Sequence, residues 1–341
     1  MGFEKVLYTD VPIPVPKTGE VLVRLHRIGV CHSDVEVYRQ ELEIYREGGA
    51  SLPIIPGHEW AGEVVEVGRE ARGFRVGDRV TGQCGIGCGR CWLCRQGLHN
   101  ICPDRVETGV FNRDGAYAEY IAMPYTHTHH LFDLSYQQGA MVEPTTVGLW
   151  ISRRAGLQPG DRVAVIGSGT VGLMTVHAAR LFEPELIACF GRSPFKLQLA
   201  KSMGADVVVN LKEQPLPASA LEASGGKGFN VVIEATGHPD GVNMALRTAL
   251  PRGRVVVTGV FEKKMHSVDL NTIMPKELTI IGSLGGPTVF DEVIGLIREG
   301  QLNPLPLNTH LLPLSEADEG LATVARGRPD LVKLHLDPSA Y

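Results

Sequence analysis

Asp161-Arg-Val-Ala-Val-Ile166, followed at once by Gly167-Ser-Gly169-Thr-Val-Gly172, is the stretch that decides the fold. Its first six residues read as a strand whose apolar run suits a parallel sheet buried on both faces. A G-x-G-x-x-G run directly after such a strand, and opening a helix, is the context a dinucleotide-binding loop requires. Gly167 would allow the tight turn, Gly169 would let the backbone approach a pyrophosphate, and Gly172 would let helix and strand pack closely. A helix N-terminus favours phosphate charge, which adds Ser168, Thr170 and Val171 to the candidate contacts. An ordinary glycine-rich turn is the plain alternative, and the flanking strand and helix argue against it.

Downstream the alternation continues. Residues 171–182 read as a helix, 186–190 as a strand, 196–203 as a helix, and 207–209, 231–233 and 254–257 as strands. That pattern predicts an α/β, doubly wound parallel sheet. It stops near residue 288; 290–299 reads as a helix, and the tail reads as mixed α/β that returns to the first domain. Upstream, residues 1 to about 145 read as short strands and turns. Glu20-Val-Leu-Val-Arg-Leu-His26 and Ala61-Gly-Glu-Val-Val-Glu-Val67 alternate apolar and polar, the period of half-buried strands. The expected domains are therefore 147–288 for dinucleotide binding, and 1–146 with 289–341 for a mainly β catalytic domain.

The end of the second strand of such a sheet selects between NAD and NADP, with a carboxylate there for the NAD ribose. Here the segment is Phe190-Gly191-Arg192-Ser193-Pro194. Gly191 stands where the carboxylate would be, and a guanidinium at Arg192 suits a 2′-phosphate. Ser193 and Lys196 are further candidates. The reading is NADP, with NAD as the other option.

Cys88-Gly-Arg-Cys91-Trp-Leu-Cys94 and Cys102 can enclose one tetrahedral zinc with no open position, a structural site. Disulfides are the competing reading. Seven cysteines leave one over, and Met1-Gly-Phe-Glu-Lys5 lacks the apolar core of a secretory signal, so the expected compartment is the cytoplasm. Cys84 reads as a bystander or a competing ligand. Cys31, His58 and Glu59 are a second set of metal-type residues.

Composition excludes other classes. A net charge of −5 and a pI near 6.2 give no reason to expect nucleic acid, and no apolar run is long enough to span a bilayer.

Cys31-His-Ser-Asp34 and Gly57-His58-Glu59-Trp-Ala-Gly62, with the cysteine lobe and the glycine fingerprint, resemble the zinc-containing medium-chain alcohol and polyol dehydrogenases. The resemblance runs almost the whole length. It implies a Rossmann domain beside a GroES-like catalytic domain, two zinc ions per chain, and a homo-oligomer, a dimer or tetramer. It implies a catalytic zinc on Cys31 and His58, with Glu59 close to it. In Gly139-Ala-Met-Val-Glu143-Pro, Glu143 matches the glutamate of the sorbitol- and threonine-dehydrogenase-like branch. Ser33 matches the first proton-relay hydroxyl, and Asp34 is a candidate to orient His58 through its other ring nitrogen. His32, Thr236, Ser283, Leu284 and Lys333 fall on cofactor positions. Two departures stand out. Glu36 occupies a place where the family often has a relay histidine. Gly285 occupies the place of a sorbitol-dehydrogenase arginine, so the substrate pocket is not that of a standard sorbitol enzyme.

The chemistry also follows from the residues. A zinc with about three protein ligands keeps a position open, where it polarises an alcohol or carbonyl oxygen. The expected activity is hydride transfer between NAD(P) and a small secondary alcohol, polyol or sugar-like substrate. The alternatives are a zinc-free enone or quinone reductase of the same superfamily, and a non-enzymatic nucleotide-binding relative.

Overall fold

The computed structural model describes residues 6–261 and 267–339; Met1 to Lys5, read above for a leader, lie outside them. Two compact units form. One holds the described residues up to Glu143 together with those from Pro287 onward, and the other is Pro144–Gly286.

In the first unit, alternating residues make a seven-stranded sheet. Its order is Asn308–Pro313, Lys333–Asp337, Glu20–Val30, Glu59–Val67, Arg79–Gly82 and Thr128–His130, with Tyr120–Pro124 also paired to Glu20–Val30. Val21, Val23, Ile28, Trp60, Val64, Leu334 and Leu336 of this sheet share a core with Leu321 of helix Ala317–Arg326. The tail is bound into this sheet through Ile28↔Leu336 and Gly29↔His335. The cysteine segment is more ordered than the irregular loop expected. It contains a short strand Gly85–Ile86, a helical turn Trp92–Arg95 and a 3₁₀ turn His99–Ile101.

The second unit is a six-stranded parallel sheet in the order Val207–Asn210, Leu186–Gly191, Arg162–Ile166, Phe229–Glu234, Ala249–Val257, Thr279–Gly282. In chain order that is 3-2-1-4-5-6, the doubly wound arrangement whose crevice lies between its first and fourth strands. Ala164, Ile166, Ala188, Phe190, Val232 and Val255 form its core. The helix after the glycine loop runs Thr170–Ala179 and tightens into a 3₁₀ turn at Arg180–Phe182. The sequence reading did not include the sixth strand, Thr279–Gly282.

Among the described residues, no helix is long and apolar enough to cross a membrane.

Candidate active site and metal centres

Strand Glu20–Val30 ends one residue before Cys31, and Glu59 opens the neighbouring strand, opposite Gly29. Gly29 matters here because a Cβ on it would strike the Glu59 side chain. This register brings Cys31, His58 and Glu59 together, with one ligand atom from each lying within 4.8 Å of the others. His58 and Glu59 are buried, and Cys31 is half-buried at the start of helix His32–Arg39.

Asp34, on the first turn of that helix, is fully buried. Its Oδ1 lies 3.4 Å from His58 Nδ1, and its Oδ2 accepts the Cys31 N–H at 2.8 Å and the Tyr117 O–H at 3.1 Å. His58 therefore has one ring nitrogen facing a carboxylate at 3.4 Å, without a formed hydrogen bond, and the other left for a metal. Burial alone would lower the His58 pKa, but the Asp34 carboxylate facing Nδ1 more than offsets it and carries it well above its usual value.

Glu59 was expected beside the metal, and both its oxygens are engaged by the Lys333 ammonium, at 2.6 and 2.7 Å. Lys333 also donates to the Val30 carbonyl at 3.1 Å. Lys333, which falls on a cofactor position in the sequence, is thus held on Glu59 and Val30. Its three hydrogens are spent inside the first unit, where it neutralises a buried carboxylate. The two residues lie 274 positions apart, and no local signal connects them. Glu143, buried in the first turn of helix Val142–Arg154, is not in the convergent set. Burial pushes its carboxyl up to about 7, and the charges of His58, Glu59 and Lys333 also reach it. Ser33 is half-buried, Glu36 is buried on the same helix, and His32 is exposed.

Cys88, Cys91, Cys94 and Cys102 converge as the second metal-type set. Cys91 and Cys102 Sγ are 3.8 Å apart, close to the edge of a tetrahedron with Zn–S bonds of about 2.3 Å. Backbone N–H groups of Cys94 and Cys88 point at the sulfurs of Cys91 and Cys102, each at 3.4 Å. The N–H groups of Arg90 and Cys91 hold the Cys88 thiol down at about 6, while burial and then the neighbouring thiols push Cys94 up to about 12. Four thiolates in this space require a cation. Every cysteine in the described residues is free, so no disulfide forms. Cys84 lies outside both sets, packed towards Val37, Val110 and Phe111.

In the second unit, Gly167 has φ of +118°, and a Cβ on it would press on the Ala235 carbonyl. A Cβ on Gly172 would strike the Gly167 carbonyl. A Cβ on Gly169 would meet nothing within 4 Å. The loop thus leaves an open cradle at its second glycine, and the helix start beside it has no side-chain cap on its N–H groups. That is what a pyrophosphate needs. Ser168 is buried beside Gly191, and Thr170 and Val171 begin the helix. Thr236 donates its N–H to Glu234 Oε1 at 2.7 Å and takes the His238 N–H at 3.0 Å, which shapes the loop after the fourth strand. Ser283 Oγ is buried without a partner at the end of the sixth strand, and Leu284 is exposed. Arg192 is exposed, and Ser193 caps helix Pro194–Ser202 by accepting the Lys196 N–H.

Residues 17–133 match the family model of the alcohol dehydrogenase GroES-like domain, and residues 170–299 match that of the zinc-binding dehydrogenases. An erythritol/L-threitol dehydrogenase of Mycolicibacterium smegmatis is 34% identical over 341 residues, covering 97% of this chain and 94% of that one. A zinc-binding dehydrogenase from Sinorhizobium meliloti bound to NADP superposes with a TM-score of 0.87 at 29% identity, covering 96% of this chain and 94% of that one. A short chain alcohol dehydrogenase from Escherichia coli CFT073 complexed with NADH superposes with a TM-score of 0.88 at 27% identity, covering 98% and 96%.

Proposed function

The chain belongs to the zinc-containing medium-chain alcohol and polyol dehydrogenases, and from that premise we propose a two-zinc, NADP-preferring enzyme for a secondary alcohol, polyol or sugar-like substrate. The carrying observation is the convergence of Cys31, His58 and Glu59, with the far nitrogen of His58 facing Asp34 at 3.4 Å. When bound, the metal supplies Lewis acidity and the nicotinamide supplies hydride transfer, together interconverting an alcohol and its carbonyl.

The chain's own residues do the rest. Cys31 and His58 hold the catalytic ion, with Glu143 completing its surroundings directly or through water. Glu59, tied to Lys333, contributes negative charge without leaving its partner. Ser33 Oγ would relay the substrate's hydroxyl proton, accepting it as its own hydroxyl proton passes on towards solvent. Glu36, buried one turn along the same helix, supplies a carboxylate in place of the family's relay histidine. The four lobe cysteines hold the second ion. Residues 1–146 and 289–341 form the metal-bearing catalytic domain, and 147–288 bind the cofactor through the cradle at Gly169. Arg192 selects the 2′-phosphate. The enzyme works in the cytoplasm as a homo-oligomer.

The test is a screen of alcohols, polyols, sugars and amino alcohols with NADP and with NAD, alongside zinc content per chain. The expected result is oxidation of a secondary alcohol or polyol, faster with NADP, and about two zinc ions, one for each closed or open site. Glu143→Ala should lose the catalytic ion and most turnover while the lobe stays metallated. One zinc per chain with enone reduction would favour the zinc-free reading instead.

A further inference from the structure

A carboxylate with no exposed surface is costly unless donors surround it. Asp34 is such a group, and its arrangement gives Tyr117 a role that no motif announces. Oδ2 takes the Cys31 backbone N–H at 2.8 Å and the Tyr117 phenol O–H at 3.1 Å, while Oδ1 faces His58 Nδ1 at 3.4 Å. The ring of the same tyrosine packs on Gly57, the residue before His58. Gly57 has φ of +96°, and a Cβ there would run into that ring. Gly109 and Gly115 close on the Gly57 backbone as well, since a Cβ on either would strike its carbonyl. Tyr117 therefore touches both the backbone that carries His58 and the carboxylate that faces its imidazole.

We infer that Tyr117 is a positioning residue for the catalytic metal. By donating to Asp34 it fixes the carboxylate so that His58 keeps its proton on Nδ1 and presents the Nε2 lone pair to the ion. The inference rests on the metal reading of Cys31 and His58. Loss of a partner behind a ligating histidine typically weakens metal binding by about 10–100-fold.

Tyr117→Phe keeps the ring on Gly57 and removes only the hydroxyl, so it separates positioning from packing. The measurements are zinc release to a competing chelator and the visible absorption of the cobalt-substituted protein. They are made on wild type, Tyr117→Phe, Asp34→Asn and the double variant. Tyr117→Phe should weaken the catalytic ion about tenfold and shift the cobalt bands, with the cysteine-lobe ion unaffected. In the Asp34→Asn background the second substitution should add nothing, because its route runs through Asp34. Unchanged affinity and spectrum in Tyr117→Phe would overturn the inference, as would an equal loss in both backgrounds. If Asp34→Asn does not fold, affinity and spectrum of Tyr117→Phe decide alone. A wild type holding zinc only in the cysteine lobe would overturn the metal reading itself, and the inference with it.

Discussion

Gly191 is buried at the end of strand Leu186–Gly191, and a Cβ on it would come within 2.8 Å of Ser168 Cβ and 3.2 Å of Leu197 Cδ2. An acidic side chain there would repel a 2′-phosphate, but it must first push Ser168 aside. Gly191→Asp alone is thus expected to weaken NADP without a full gain in NAD affinity, and adding Ser168→Gly should release that gain. If Arg192 holds the 2′-phosphate as proposed, Arg192→Ala removes one charge-assisted bond at an exposed position, and about a tenfold loss specific to NADP is expected. Dissociation constants for both cofactors across these variants check the argument. An NAD preference in wild type would end it. The missing carboxylate and the adjacent arginine were legible from sequence, because the strand-loop-helix pattern fixes where they fall. Ser168 leaning over Gly191, Lys333 on Glu59 and Tyr117 on Asp34 were not, because each is a contact made only when distant segments fold together.

Strand Thr128–His130 and the 3₁₀ turn Tyr125–His127 before it carry a group of imidazoles beside the cysteine lobe. His99 pairs with Gln83, Gln83 with His129 at 2.9 Å, and His129 with Asp291 at 2.6 Å. The His127 and His99 rings meet edge to face at 4.9 Å. Burial, then the nearby His99, His129 and Arg113, push His127 down to about 4. Its unfolded value is about 6.5, so the unfolded chain takes the proton first as pH falls. Stability from this group is complete above about pH 6.5 and declines towards pH 4. The loss is on the order of 2 kcal/mol by pH 5. His127→Gln should therefore flatten the fall of Tm between pH 7 and pH 5, as followed by thermal melts in matched buffers. An equally steep fall would place the acid sensitivity elsewhere. At this scale, sequence reading did well where periodicity was strong: the inner strands of both sheets sit where apolar runs or alternation placed them. Thr279–Gly282 escaped because its residues are half-exposed or exposed and a glycine-rich segment follows, so it lacks the buried run that marks its neighbours.

That same strand bears on the whole molecule. It ends the six-stranded sheet, paired to Ala249–Val257 on one side, and no further strand follows it in the sheet order. Inner strands of a parallel sheet are covered on both faces. Here Ile280 is 44% exposed, and Leu270 and Met274, just upstream, are 68% and 75% exposed. The strand itself, Thr279-Ile-Ile-Gly282, carries none of the charges or prolines that commonly guard an edge. Arg154 donates to the Gly282 carbonyl at 3.3 and 3.4 Å and covers one end of this edge, so the homo-oligomer proposed above would pair two copies along Thr279 to Ile281, strand against strand about a two-fold axis. The proposed oligomer is therefore a dimer built on this edge or a larger assembly that contains it. Ile280→Lys places a charge on the edge and should lower the molar mass measured by light scattering at micromolar concentration, while the far-UV circular dichroism of the full chain stays as in wild type because the side chain is already half outside. A variant that keeps the wild-type mass would move the interface to another face.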